Sequence, residues 1–468
     1  MFGRRARHCR QYDRLHQTVE CLPDPGGRSF QRSTRLRGRT QRRRHRLTTG
    51  GRLRQDGGID NDQISETIAT TKRKLRSRLP NYVEVLADVE AHTRAEVEDI
   101  LGAGDRAIPE IDFAAIAAGG VGATTLAAIR RRGVVVVRKV FPAEQATAWN
   151  DELGDYVTRN GFYEQRADPN LDQYFSSLKS RKPQIFGIYW SRPQVRARQS
   201  PALTATRTFL TGLWRSSGPT GEYFDPQRQC TYADRIRRRE PGDTTLGLSA
   251  HMDAGSVERW IDPSYQSVYR KVFSGDWRGY DPFDGAFRTE VKEIPSPAVC
   301  SVFRTYQGWT ALTQQGPNDG TLRVVPIANG IMLMLLRALQ DDVAEDELCG
   351  AKAGRGLRAL PQWHETLLSG MIPIPTMEPG DTIWWHPDVL HAVEDRHMGS
   401  GFSNVMYIAA APWCAKNAAY LKGQQEAFLR GASAPDFAAE DFEVGYAGRA
   451  TLDDLTELGR AQMGIEPK

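Results

Sequence analysis

From Gln229 to Ala411 the chain is written in short runs of β-branched and aromatic residues, separated by Gly, Pro and Asp turns, and this pattern constrains the fold most. Runs this short must pair into sheets. Many of them in succession predict a sandwich, jelly roll or barrel. The flanks read differently. Residues 62–101 carry a helical pattern ending near Gly102 and Gly104. Val134-Val135-Val136-Val137 is a run typical of a buried strand, and Pro142 opens a helix that reaches about Asn160-Gly161. Residues 184–190 read as a strand, Pro201 to Trp214 as a helix, and Leu336 to Glu347 as an acid-rich helix. The expected class is mainly β with flanking helices. Its expected parts are a disordered Arg-rich tail (1–55), a helical N-terminal region (56–130), a β-rich domain (131–415) with a long insertion at 256–297, and a helical tail (416–468).

Composition narrows the function. A chain of 468 residues with 40% hydrophobic residues can bury a large core. No apolar run approaches the roughly 18 residues of a membrane span, so no membrane partner is expected. The six cysteines form no CxxC pair and are irregularly spaced, which argues against a disulfide framework or zinc ribbon and fits a reducing cytoplasm. The net charge of +5 is uneven: residues 1–54 carry 16 Arg, no Lys and three acids, so the remainder is net acidic. Such a tail reads as an arm for nucleic acid or an anionic surface, as a targeting peptide, or as an unfolded extension. Arg without Lys reflects base composition more readily than phosphate recognition, so the last reading is preferred and no nucleic-acid partner is expected. Ala117 to Thr125 superficially suggests a phosphate loop, but it lacks the Lys such a loop needs. The oligomeric state is not legible.

One constellation carries chemistry. In Ser249-Ala250-His251-Met252-Asp253, alternation along a strand sets His251 and Asp253 side by side. An imidazole and a carboxylate so placed need one more His to form a 2-His-1-carboxylate facial triad, which leaves open metal positions. That ligand should come from a distant strand returning beside the first. His391 follows a Gly380-Asp381 turn and the strand Thr382–Trp385. With nine His and 57 acids in the chain, about one His-x-acid match arises by chance. The rival His386-Pro387-Asp388 contains a Pro that suggests a turn, which makes His386 structural or supporting. His251, Asp253 and His391 are therefore the candidate metal and catalytic residues.

Several segments in order resemble the iron(II)/2-oxoglutarate-dependent dioxygenases, in particular their phytanoyl-CoA hydroxylase-like branch and an uncharacterised family within it. They are Arg132 to Phe141, His251-x-Asp253, Trp309 to Leu312 followed by Asn318 to Pro326, and Gly380 through His391. The resemblance spans roughly residues 130–415. It implies a double-stranded β-helix core of the jelly-roll or cupin-like kind, iron(II) and 2-oxoglutarate as cofactors, and O2 with a small molecule as substrates. Two departures stand out. The usual "PGSH" element reads Pro326-Ile327-Ala328-Asn329. The basic residue that commonly holds the distal carboxylate of 2-oxoglutarate is missing from Gly401-Phe402-Ser403-Asn404-Val405. Arg396, Arg304 and Arg323 are the candidates to replace it, because a buried carboxylate needs a bidentate donor. The insertion 256–297, with Trp260, Tyr265, Tyr269, Trp277, Tyr280 and Phe283, reads either as a lid with a stacking surface or as an ordinarily packed loop. Two other functions stay open: a cupin-type metalloenzyme that does not use 2-oxoglutarate, and a non-enzymatic module with a basic tail.

Overall fold

Gly133 shows how the local sequence sets the architecture. It takes φ 65°, closes the helix Ala123–Arg132, and releases the chain directly into the strand Val134–Arg138. The computed structural model describes residues 61–165, 184–219, 221–244 and 247–465; the Arg-rich segment 1–55 lies outside them. In chain order the strands are β1 Glu110–Asp112, β2 Val134–Arg138, β3 Ile185–Phe186, β4 Ser217–Gly218, β5 Gly221–Glu222, β6 Asp225–Cys230, β7 Ile236–Arg239 and β8 His251–Met252. They continue as β9 Tyr306–Ala311, β10 Leu322–Val324, β11 Leu357–Arg358, β12 Ile372–Pro373, β13 Thr382–Trp385, β14 His391–Val393 and β15 Ser403–Trp413.

The larger sheet runs β1-β2-β13-β9-β15-β7-β3, with β6 also on β15; the smaller runs β11-β8-β14-β10-β12; β4 and β5 form a separate pair. The two sheets face each other. Val134, Val136, Trp309, Ala311, Ile383, Trp385 and Val405 of the larger sheet share one apolar cluster with Leu322, Val324 and Val393 of the smaller. The alternate residues of the larger sheet, including Val135, Val137, Trp384 and Met406, pack on the helix Ala143–Arg159 through Trp149 and Leu153. Met252 and Leu357 of the smaller sheet join a cluster with the helices Asn61–Arg78 and Tyr82–Ala103. Val134 to Val137 are therefore all buried, as a strand covered on both faces must be.

These outer layers change the expected class. The chain is a mixture of sheets and helices rather than mainly β, and neither described sheet closes into a barrel. The helical N-terminal region, the sheets and the C-terminal helices all belong to one compact unit, Ile59–Lys468. Local expectations shift as well. The helical stretch 62–101 is two helices, broken at Leu79-Pro80-Asn81. The acid-rich helix ends at Arg337, having begun at Ile331. Its acidic continuation is turns, and the buried Lys72 ammonium donates to the carbonyls of Val343, Ala344 and Glu347 at 3.1, 2.7 and 3.1 Å. The insertion 256–297 folds into short helices, and its six aromatic rings are buried in the core instead of forming a stacking surface. Four described cysteines (230, 300, 349 and 414) are free thiols, and no described helix is long and apolar enough to cross a membrane.

Candidate metal centre

β8 and β14 lie antiparallel in the smaller sheet, and His391 is the direct partner of His251. Their rings lie 4.4 Å apart, centroid to centroid. Asp253 follows just beyond the end of β8, where Ala254 turns the chain sharply at φ 69°, a conformation a non-glycine residue adopts only under constraint. Asp253 Oδ1 is 3.4 Å from His251 Nε2, and Oδ2 is 3.7 Å from His391 Nε2. One ligand atom from each residue falls within 4.8 Å of the others. The rival pair takes no part in this cluster.

The far nitrogens of both rings are already committed. His251 Nδ1 lies 2.6 Å from the Ser249 carbonyl, and His391 Nδ1 lies 3.1 Å from the Val389 carbonyl. A carbonyl only accepts, so both Nδ1 atoms carry the proton and both Nε2 lone pairs point to the shared centre. Two neutral imidazoles and one carboxylate converging in this way fit a borderline divalent metal. The electrostatics agree. Burial works against charge on His251, but the Asp253 hydrogen bond and charge outweigh it and raise the pKa. Burial, helped by the charge of His251, pushes His391 down to about 4. Burial likewise opposes the Asp253 carboxylate, yet the two histidines hold it well below the usual range. The site already solicits positive charge.

The residues of the rival motif support this centre from behind. His386 stacks on Trp214 with ring centroids 4.7 Å apart, and its Nδ1 accepts the Asp388 N–H at 3.0 Å. Asp388 accepts from Arg259 at 2.6 Å and from Arg288 at 2.9 Å, and Arg259 also donates to the Asp253 carbonyl at 2.8 Å. A buried ion cluster thus fixes the backbone of the ligand carboxylate.

A cavity with about 80 Å³ of room for solvent opens over the three ligands. Gln307, Trp309, Trp385, Tyr407 and Arg304 are among its walls. Of the three candidate arginines only Arg304 reaches it. Burial opposes the Arg304 charge, but Cys300, Tyr232 and Asp253 nearby strengthen it. Arg323 donates to the Met371 carbonyl from β10, away from the cavity, and Arg396 is exposed beyond β14. The sequence reading missed Asn417 and Asp436 of the C-terminal region. Asn417 bonds both the N–H and the carbonyl of Phe303 at 2.8 Å, and Asp436 accepts from Ser301, so together they set the loop that carries Arg304. It also missed Gln307 and Trp309, for which the one available signal was their i, i+2 spacing on a single strand face.

Similar proteins share this architecture. The uncharacterized protein YbiU of Escherichia coli (strain K12) is 43% identical over 404 residues, 85% of this chain and 96% of its own length. A crystallised protein of Salmonella typhimurium LT2, provisionally designated an oxidoreductase, is 42% identical with a TM-score of 0.83 over 86% of this chain and 97% of that one. The GlcNAc Inducible Gene 2 protein of Candida albicans is 27% identical with a TM-score of 0.74 over 85% and 89%. Residues 62–465 match the Gig2-like family, and the chain belongs to it.

Proposed function

We propose that the chain is a non-haem iron(II) oxygenase that uses 2-oxoglutarate and O2 to hydroxylate a small molecule. The observation that carries this reading is the direct pairing of His251 with His391 across β8 and β14, with Asp253 closing the triad. The winding of the chain supports it. From β7 to β10 successive strands alternate between the larger and smaller sheets, and after β12 they alternate again through β13, β14 and β15. That is the winding expected of a double-stranded β-helix whose two sheets enclose a site. The oxidoreductase designation of the Salmonella relative agrees with redox chemistry.

Iron(II) bound here would supply oxygen activation coupled to oxidation of the oxo acid, the part of the chemistry that side chains cannot perform. The chain does the rest. His251 and His391 offer Nε2 atoms whose orientation the Ser249 and Val389 carbonyls fix. Asp253 supplies the anionic ligand. Trp309 and Trp385, both 3% exposed, exclude water from the inner wall. Arg304, buried in the cavity wall, places a positive charge there for an anionic group. The test is anaerobic addition of iron(II) and then 2-oxoglutarate. A visible charge-transfer band that needs both supports the reading. Iron binding with no such band would sink it and favour a metalloenzyme without 2-oxoglutarate, to which the lack of a basic residue in 401–405 already lends weight.

A further inference from the structure

The inner wall of the larger sheet is more polar than its packing needs. Both amide atoms of Gln307, Nε1 of Trp309, Nε1 of Trp385 and the Tyr407 hydroxyl are buried with no hydrogen-bond partner among the described residues. All four side chains line the cavity that holds His251, Asp253 and His391. Each unmade buried hydrogen bond costs about 1–3 kcal/mol, so a cluster of them around one cavity calls for a polar ligand.

Strand register sets a charge against that wall, beside Trp309 and just outside the residues that line the cavity. In the larger sheet Tyr407 pairs with Trp309, and two residues away Val405 pairs with Ala311 on one side and with Arg237 of β7 on the other. Two residues along a strand return to the same face, about 6.6 Å further on. Arg237 is 1% exposed, and its guanidinium carbon lies 5.4 Å from the centroid of the Trp309 ring. One terminal nitrogen, Nη2, donates to the Gly320 carbonyl; the other, Nη1, is buried with no partner. Arg237 forms no ion pair among the described residues, whereas its neighbour Arg239 is paired with Asp243 at 3.0 Å. Burial lowers the Arg237 pKa to about 10, so the side chain still carries its charge at neutral pH. Asp243 and Glu394 favour that charge only through space, without an ion pair to Arg237, and a buried cation left without direct pairing is costly unless a ligand supplies the anion.

The position matters as much as the charge. Val405 lies in the segment where a basic residue was expected and is missing, and its register partner on the next strand is an arginine. We propose that Arg237 binds the distal carboxylate of the 2-oxo-diacid co-substrate, replacing from β7 the basic residue that β15 lacks. This rests on the oxygenase reading above.

The test compares 2-oxoglutarate with 2-oxobutyrate, which has the same metal-chelating end and no distal carboxylate. Binding to the full-length, iron-loaded, anaerobic protein is followed by quenching of tryptophan fluorescence. The wild type is expected to prefer the diacid by ~10-fold or more, the size of one charge-assisted hydrogen-bonded pair. Arg237→Gln should bring the two acids within about twofold while leaving 2-oxobutyrate affinity intact, and Arg237→Val with Val405→Arg should restore the preference. An unchanged preference in Arg237→Gln, or its loss in Arg304→Gln instead, would overturn the assignment and leave the oxygenase reading standing. A wild type that binds neither acid would overturn both. If the Arg237 variants do not fold, anaerobic wild-type crystals with 2-oxoglutarate decide: a carboxylate on Arg237 Nη1 supports the proposal, and one held by Arg304 refutes it.

Discussion

Asp253 is the residue on which the candidate centre turns. It carries the negative charge that both imidazoles face, and its backbone is held by Arg259. Asp253→Ala removes the anionic ligand and is expected to abolish iron retention after desalting. A variant that keeps the wild-type iron stoichiometry would disprove the ligand assignment. Asp253→Asn tests charge apart from shape. The hydrogen bond and charge of Asp253 raise the His251 pKa against the effect of burial, so the Asn variant should lower it; an imidazole titration of metal-free protein by NMR reads this directly. That these three side chains come together was legible because both segments are short and the His-x-Asp spacing is local, although β8 ends at Met252 and Asp253 follows it rather than continuing the strand. The status of His386 and Asp388 was legible only as far as Pro387 signals a turn. That Asp388 neutralises two arginines and, through Arg259, holds the Asp253 backbone depends on contacts across 100 and 129 residues of chain, which spacing does not encode.

At the scale of elements, the C-terminal region is bound into the body more firmly than its sequence suggests. The short 3₁₀ turn Phe442–Gly445 buries Glu443, which accepts from the backbone N–H groups of Tyr189 and Trp190 and from the Tyr156 hydroxyl at 2.7 Å. Burial dominates and pushes its carboxyl up to about 7, although those donors favour the ionised form. An unfolded Glu titrates near ~4.3. Between these values the folded state binds the extra proton, so this group's contribution to stability is full at low pH, is lost as pH rises toward 7, and is level above it. The loss is up to roughly 4 kcal/mol. Urea unfolding of wild type and Glu443→Gln at pH 5 and pH 8 should show the wild type losing ground to the variant at the higher pH. Parallel behaviour would refute a buried, titrating Glu443. Nothing in Asp441-Phe442-Glu443 announces this, because burial of the carboxylate comes from packing against residues near 156 and 190.

For the whole molecule, what the sequence revealed was the pattern of short strands and the ligand pair. What it concealed was which strands become neighbours. Val405 and Arg237 are 168 positions apart in the chain and adjacent in the sheet, whereas the sequence offered Arg396 close to His391 and Arg304 and Arg323 on strands expected to be neighbours. The helical layers were underestimated for a related reason: a sheet buried on both faces needs covers whose own patterns are weak, as in the helix Asn61–Arg78. Charge is the remaining property of the whole chain. Residues 1–54 carry a net +13, and the rest a net −8. Every residue of the candidate centre and its cavity belongs to the acidic remainder. Deleting residues 1–55 is therefore expected to leave iron binding and the charge-transfer band unchanged while reversing the sign of the net charge. Any affinity of the full chain for a polyanion should vanish with the deletion, and before it should weaken steeply with added salt, since counterion release sets such binding. Loss of the charge-transfer band on deletion would show instead that the basic segment belongs to the catalytic body, and the division drawn from charge alone would have to be abandoned.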